Sequence, residues 1–295
     1  MTQLNIPDAE YMYSGHVGCP GCGATIAMKF ALKALGEKTI MVIPACCWGV
    51  IAGPYPQSSL KVPILQTAFA TAGAAASGLK AALDMKGDAE TTVVAWAGDG
   101  GTFDIGIQAL SGAVERNEDF IYVCYDNEAY MNTGVQRSGT TPQGVITTTT
   151  PIRGKLQKKK EVPAIIAAHG IGYVATASAA YPLDLYDKIK KAKTMSGPKY
   201  IHVHTPCPAG WGFDPRYTVK IGKLAVETGL YDIYEIEQGE FRLTGPSKKL
   251  DNSKRKPVSE YFKTQSRFRA LSDERIQEIQ ASIDTKWEEY QKESE

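Results

Sequence analysis

Short apolar runs rich in β-branched and aromatic residues recur through the middle of the chain, separated by longer stretches with apolar positions three and four apart. Residues 39–44, 91–96, 120–125 and 199–204 read as strands, and their near-continuous apolar character suits a parallel sheet covered on both faces. Residues 24–35, 68–85, 105–116 and 181–195 carry helical spacing and fall between them. Gly, Pro or Asp-Gly punctuates each strand at its C-terminal end. The alternation predicts an α/β fold: an open, mostly parallel sheet with helices on both faces and ligands at the carboxyl ends of the strands.

The pattern changes in two places. Residues 132–163 are polar, rich in Thr and Gly, and without period, so they read as a long functional or mobile loop. Beyond Pro208 the alternation stops, which divides the chain into a unit over 1–215 and a C-terminal extension over 216–295 that wraps the core or a partner. That extension ends in a charged helix over 272–295, opened by Ser272-Asp273-Glu274-Arg275, with Ile276, Ile279, Ile283 and Trp287 at helical spacing. A net charge of +1 gives no electrostatic case for nucleic acid or a membrane surface. The first residues hold acids and no apolar run, and the small-apolar run over 68–83 is broken by Lys80 and too short to span a bilayer. The expected location is cytoplasmic.

Candidate chemistry begins with six cysteines, at 19, 22, 46, 47, 124 and 207. Cys19-Pro20-Gly21-Cys22, placed just before a helix, suits a redox pair, half a zinc site or half an iron–sulfur site. A redox pair wants a preceding strand, and His16-Val17-Gly18 is a poor one; a zinc ribbon wants a second CxxC, and none follows. Cys47 and Cys207 each come at the end of a strand. Four thiolates from strand ends and turns fit a cubane cluster, one per iron, although Cys47 and Cys207 read equally well as buried core thiols. Cys124 lies mid-strand and reads as packing. Cys46, alternating with Cys47, points to the opposite face and takes no ligand role.

The strand over 91–96 runs into Gly98-Asp99-Gly100-Gly101, and a helix opens soon after. Glycines let the backbone approach a phosphate, the helix N-terminus favours the anion, and Asp99 offers the hard oxygen that Mg²⁺ takes. A lone Gly-Asp-Gly is usually a tight turn. Here the next strand ends in Asp126-Asn127, which supplies a second oxygen ligand beside the first, with a nearby carbonyl to complete the set. This pairing is the pattern of thiamine diphosphate enzymes. His202 and His204, at alternate strand positions, read as packing, and Lys158-Lys159-Lys160 as a solvated run able to steer an acidic partner.

The chain resembles the beta subunits of pyruvate:ferredoxin oxidoreductases, within the 2-oxoacid:ferredoxin oxidoreductase family, over residues 10–240. The resemblance is carried by the run from His16 to Gly23, the GDGGTFDIGIQALSGAVERN run from Gly98, the YDNEAYMNTGVQRSGTTP run from Tyr125, and Thr205-Pro206-Cys207. Gly101-Thr102-Phe103-Asp104 resembles the pyruvate class rather than members reading Gly-Asp-Gly-Asp; Ala24 stands where some relatives carry an acid. The resemblance implies a thiamine diphosphate-binding fold, its diphosphate-binding domain, with one [4Fe–4S] cluster on Cys19, Cys22, Cys47 and Cys207. It implies Mg²⁺ on Asp99, Asn127 and the Ala129 carbonyl, with Cys47, Gly98, Gly100, Gly101, Met131 and Asn132 around thiamine diphosphate and Asn132 catalytic. The implied reaction is oxidative decarboxylation of pyruvate with coenzyme A to acetyl-CoA and CO₂, electrons leaving through the cluster to ferredoxin. Implied partners are an alpha subunit that supplies the pyrimidine-binding domain and its activating glutamate, and ferredoxin-like gamma and delta subunits. The alternatives are another 2-oxoacid, such as oxalate or 2-oxobutyrate, or a non-redox thiamine enzyme.

Overall fold

The structure, a computed structural model, describes residues 6–251 and 253–294. Met1–Asn5, the start of the polar N-terminal stretch, and Glu295, the last residue of the expected terminal helix, lie outside them. Strands β1 (Thr39–Pro44), β2 (Ile64–Thr67), β3 (Thr92–Gly98), β4 (Ile121–Asp126), β5 (Tyr173–Ser178) and β6 (Lys199–His204) are mutually parallel. A hairpin of β7 (Tyr234–Glu237) and β8 (Glu240–Leu243) adds antiparallel to β5, giving the order β2-β1-β3-β4-β6-β5-β7-β8.

Two helical layers cover the sheet. Helices α1 (Gly23–Leu35) and α6 (Pro182–Lys193) press Ala27, Met28, Ala31, Leu32, Leu185 and Ile189 onto one face, where Met41, Ile43, Val94, Trp96, Ile121 and Val123 point. Helices α3 (Ala72–Met85), α4 (Ile107–Glu115) and α5 (Val162–Ala167) cover the other, onto which Val42, Val93, Ala95, Tyr122 and Cys124 point. Alternate residues of one strand thus serve opposite cores, which explains why the strands read as continuous apolar runs. The short helices α2 (Cys47–Ile51) and α7 (Pro208–Trp211) follow β1 and β6. A third core gathers α8 (Thr218–Glu227), α9 (Val258–Phe262) and α10 (Asp273–Ser294) around the buried Trp211, Phe268 and Trp287.

Register decides what meets at the carboxyl edge. Gly98 pairs with Tyr125, and Asp126 with His204, so Asp99, Asn127 and Thr205 emerge side by side. From β1 the chain steps outward to β2 and then returns to β3 on the other side of β1. This reversal opens a crevice beyond the ends of β1 and β3, the place where open α/β sheets bind ligands.

Candidate functional site

A cavity of about 810 Å³ fills that crevice. Its walls come from the residues after β1 (Ala45, Cys46, Cys47), after β3 (Gly98, Asp99, Gly100, Gly101, Asp104) and after β4 (Asn127, Ala129, Tyr130, Met131, Asn132), with Gln136, Arg137 and Thr149 from the long loop. Gly100 is required by contact. A Cβ there would stand 1.8 Å from the Tyr130 ring, whose hydroxyl donates to Asp104 Oδ2 at 2.7 Å. Gly100–Asp104 forms a single π-type turn, a distortion that recurs at functional sites.

Asp99, Asn127 and Ala129 are all buried, and their oxygens converge. The carboxamide end of Asn127 that faces them lies 3.2 Å from Asp99 Oδ1 and 2.9 Å from the Ala129 carbonyl, and as placed it is the oxygen Oδ1. Three acceptors facing one another need either a half-turn of the amide, which would donate to both, or a cation between them. With the amide as placed, Nδ2 lies toward Cys47 Sγ, at 4.0 Å. The other Asp99 oxygen is engaged: Oδ2 accepts from Ser138 Oγ at 2.5 Å and from Thr140 Oγ1 at 2.9 Å. Thr140 also lies 2.8 Å from Asp126 Oδ1, and Asp126 Oδ2 meets Lys159 Nζ and His202 Nε2, each at 2.9 Å. Lys159 continues to Glu128 Oε1 at 3.0 Å, and Arg267 to Glu128 Oε2 at 2.8 Å.

The two central carboxyls are driven apart. Burial, and then the negative charge of Asp126, push the Asp99 carboxyl well above the usual range. Burial would raise Asp126 as well, but Lys159 and His202 outweigh it and hold that carboxyl well below. Of the pair, Asp99 is the one whose surroundings favour the protonated form.

Three segments bring four cysteines to the neighbouring edge. The CxxC turn closes with Cys22 N–H donating to the Cys19 carbonyl at 3.1 Å. It is clamped to the loop after β6, where Gly23 N–H donates to the Pro206 carbonyl at 3.1 Å and Thr218 Oγ1 donates to the Gly21 carbonyl at 2.6 Å. Gly21 has φ +68°, and a Cβ on it would meet the Pro215 carbonyl at 2.6 Å, so glycine is needed there for both dihedral and space. Trp48 Nε1 donates to the Ala24 carbonyl at 3.3 Å, joining the first turn of α2, which begins at Cys47, to the first turn of α1, which Cys22 precedes. Cys207 caps α7 by accepting from Gly210 N–H at 3.4 Å.

Cys22 and Cys207 each lie within electrostatic reach of Cys19, Cys47 and one another. Burial first, then the neighbouring thiols, raise Cys47 strongly and Cys207 to about 11; burial also raises Cys22. Among the described residues no three His, Cys, Asp or Glu side chains converge as one single-ion site. Trp211 Nε1 donates to the Asn127 carbonyl at 2.8 Å, and Met131 packs on Gly210, so the cysteine edge and the Asp99 pocket share a wall.

Several expectations need correction. β1 ends at Pro44, so Cys46 and Cys47 do not alternate across a strand; Cys46 precedes α2 and its thiol meets the Tyr125 hydroxyl. Lys159 is no solvated lysine, because its ammonium lies between Asp126 and Glu128, and Lys160 pairs with Asp104 at 2.8 Å. Sequence reading also passed over Ser138, Thr140, Arg137 and the Asp126–Lys159 pair. The one available signal was the cluster of hydroxyls inside a long loop that had to bury somewhere. Asn132 and Thr133 stand exposed at the tip of a turn closed by Tyr130 N–H to the Gln136 carbonyl at 2.9 Å.

Residues 48–203 match the thiamine pyrophosphate enzyme family, in its C-terminal TPP-binding domain. The chain is 52% identical over 286 residues to pyruvate synthase subunit PorB of Methanothermobacter thermautotrophicus, covering 96% of this chain and 98% of the relative. The chain belongs to this family. It is a subunit of a 2-oxoacid:ferredoxin oxidoreductase. At 46% identity over 299 residues it is similar to ketoisovalerate oxidoreductase subunit VorB of Pyrococcus furiosus, with 98% and 95% of the two chains covered. A solved 2-oxoglutarate:ferredoxin oxidoreductase from Magnetococcus marinus shares the fold, with a TM-score of 0.60 and 23% identity over 74% of this chain and 82% of that one. Most of the cavity lining falls within the matched TPP-binding domain. No helix among the described residues is long and apolar enough to cross a membrane.

Proposed function

We propose that this chain is the beta subunit of a pyruvate synthase, which oxidatively decarboxylates pyruvate with coenzyme A to acetyl-CoA and CO₂ and passes the electrons to ferredoxin. The reading is carried by one juxtaposition: Asp99 Oδ1, the Asn127 carboxamide and the Ala129 carbonyl converge beside four cysteines, across the wall made by Asn127, Trp211 and Met131. Asp99 Oδ1, Asn127 Oδ1 and the Ala129 carbonyl fit Mg²⁺, a hard cation that takes oxygen ligands. Gly98, Gly100 and Gly101 leave the backbone open for the diphosphate, and Cys47, Met131 and Asn132 border the same cavity. Burial raises the Cys22, Cys47 and Cys207 thiols, as it does for thiols shielded from solvent beside one another. They would pair with the positive charge of an iron–sulfur cluster, one thiolate per iron, from Cys19, Cys22, Cys47 and Cys207.

When bound, thiamine diphosphate supplies the electron sink for decarboxylation and a [4Fe–4S] cluster accepts electrons singly. The chain's own residues do the rest. Asp99 would hold Mg²⁺ through Oδ1, Ser138 and Thr140 fix its other carboxylate oxygen, and Asn132 stands at the cavity rim. The cavity is open on that side. We assign the remaining wall, and the glutamate that activates the cofactor, to an alpha subunit; gamma and delta subunits would carry electrons onward. We read residues 1–215 as the unit bearing both sites and 216–295 as the extension that closes it, since α8–α10 build their core on Trp211.

Pyruvate is favoured over ketoisovalerate because three pyruvate synthase subunits are 50–52% identical to this chain, against 46% for the ketoisovalerate subunits, within a range of 42–52% for the pyruvate synthase subunits as a group. The test is anaerobic dye reduction by the assembled enzyme with coenzyme A and, in turn, pyruvate, 2-oxobutyrate, oxalate, 2-ketoisovalerate and 2-oxoglutarate. The highest kcat/KM belongs to pyruvate; a clear preference for any other acid overturns the assignment.

A further inference from the structure

The lining of the main cavity contains two carboxylates and, among the described residues, one cation, Arg137. Both carboxylates are already answered. Asp104 takes Lys160, the Tyr130 hydroxyl and Gly139 N–H, and Asp99 Oδ2 takes two hydroxyls. Arg137 is not answered. No carboxylate among the described residues pairs with its guanidinium, and its Nε is buried without a hydrogen-bond partner. Its charge nevertheless reaches Tyr130 inside the cavity.

The loop is built to hold this residue in place. Val135, a β-branched residue, sits at φ +63°, a left-handed conformation such side chains adopt only when their surroundings impose it. The turn is closed on one side by Val135 N–H to the Tyr130 carbonyl at 3.0 Å. On the other side Thr148 N–H donates to the Val135 carbonyl at 3.0 Å, and Arg137 N–H donates to Thr149 Oγ1 at 3.0 Å. A strained turn beside the cavity, with an unpaired cation in the lining, is the form of a ligand clamp.

We propose that Arg137 is the cavity's oxyanion-binding residue and engages a substrate rather than the diphosphate. This rests on the functional reading above. A site that takes Mg²⁺ against a diphosphate has used its divalent charge there, and the substrates bring further negative groups: the carboxylate of a 2-oxoacid and the phosphates of coenzyme A. Guanidinium is the side chain that binds either in a two-point geometry. Among the described residues lining the cavity, Arg137 is the one cation placed for that task.

The test uses the assembled holoenzyme with Arg137→Gln and Arg137→Lys, each checked for iron content and subunit assembly. Pyruvate and coenzyme A binding are measured separately by calorimetry, and both KM values by dye reduction. Losing a charged hydrogen-bond pair should weaken one of the two substrates roughly 10- to 100-fold, less so in the lysine variant, with added guanidinium restoring part of the loss in Arg137→Gln. A change confined to pyruvate identifies the carboxylate as the bound group; a change confined to coenzyme A identifies a phosphate. Weakened binding of thiamine diphosphate alone, or loss of subunit association with both substrates unaffected, overturns the inference. So does unchanged binding of both substrates. A wild-type enzyme that binds neither pyruvate nor coenzyme A overturns the functional reading first, and the inference with it.

Discussion

Lys159→Met separates a structural account of the site from a decorative one. The ammonium lies 2.9 Å from Asp126 Oδ2 and 3.0 Å from Glu128 Oε1, and those side chains are 0% and 7% exposed. Removing one partner of a buried pair leaves an uncompensated charge and costs about 3–5 kcal/mol. Asp126 keeps His202 and Thr140, and Glu128 keeps Arg267, which argues for about 3 kcal/mol. In a chain of this size that lowers Tm by about 6 °C, at roughly 2 °C per kcal/mol. Urea unfolding should show a lower midpoint at unchanged slope. Because Asp126 is held low in the folded state, the pair's contribution is fully present above the unfolded carboxyl value of about 4. It is lost only as pH falls through the depressed folded value, so the gap between the proteins should be flat from pH 5 to 8. The double variant Lys159→Met/Asp126→Asn, with the stranded charge removed, should recover part of the loss. The effect should also reach the cofactor, since Thr140 bridges Asp126 to Asp99, and thiamine diphosphate with Mg²⁺ should bind more weakly. A Tm within about 2 °C of wild type would refute the reasoning.

Other outcomes follow from the same geometry. Cys19→Ser, Cys22→Ser, Cys47→Ser and Cys207→Ser should each lose the cluster by iron and sulfide count, while Cys46→Ser and Cys124→Ser keep it; full retention in any of the first four removes that residue from the ligand set. Asp99→Asn should lower thiamine diphosphate affinity measured with Mg²⁺ and leave the cluster's visible spectrum unchanged, with Asn127→Ala milder because a neutral oxygen contributes less. His204, buried against Trp211 and Tyr231, is lowered by burial from 6.5 to about 4. The unfolded chain therefore takes up this proton first as pH drops, and stability should fall by roughly 3 kcal/mol between pH 6.5 and 4. His204→Phe should flatten that part of the pH–stability curve, and an unaltered curve would show that another group governs it.

The fold was legible where one residue pattern served two cores. Residues 199–204 are read as a strand from sequence and are β6 in the structure; α3, α4 and α6 fall within the stretches with helical spacing, and α1 starts one residue before its stretch. Strands β2 and β5 escaped, the first because Ile64–Thr67 is a four-residue edge strand, the second because Tyr173–Ser178 is built largely from small residues. The β7–β8 hairpin had a signal that went unread: Gln238-Gly239, at φ +51° and +86°, joins two alternating runs, as two-residue hairpins require. Asp99 and Asn127 could be picked out because each directly follows a strand. Ser138, Thr140 and Lys159 could not, because they reach the site by a loop fold with no periodicity, and a lysine run looks solvated until acids are placed beside it.

The central claim is that the carboxyl edge of this sheet carries a cluster site complete in itself and a cofactor site that is not. The direct measurement is to purify the subunit alone without oxygen, reconstitute iron and sulfide, and follow pyruvate-dependent reduction of a low-potential dye with coenzyme A, thiamine diphosphate and Mg²⁺, before and after adding the alpha subunit. The account predicts a brown protein with iron and sulfide bound, inert alone, whose turnover appears with the alpha chain. Substantial turnover by the isolated subunit, or an iron-free protein after reconstitution, would contradict it.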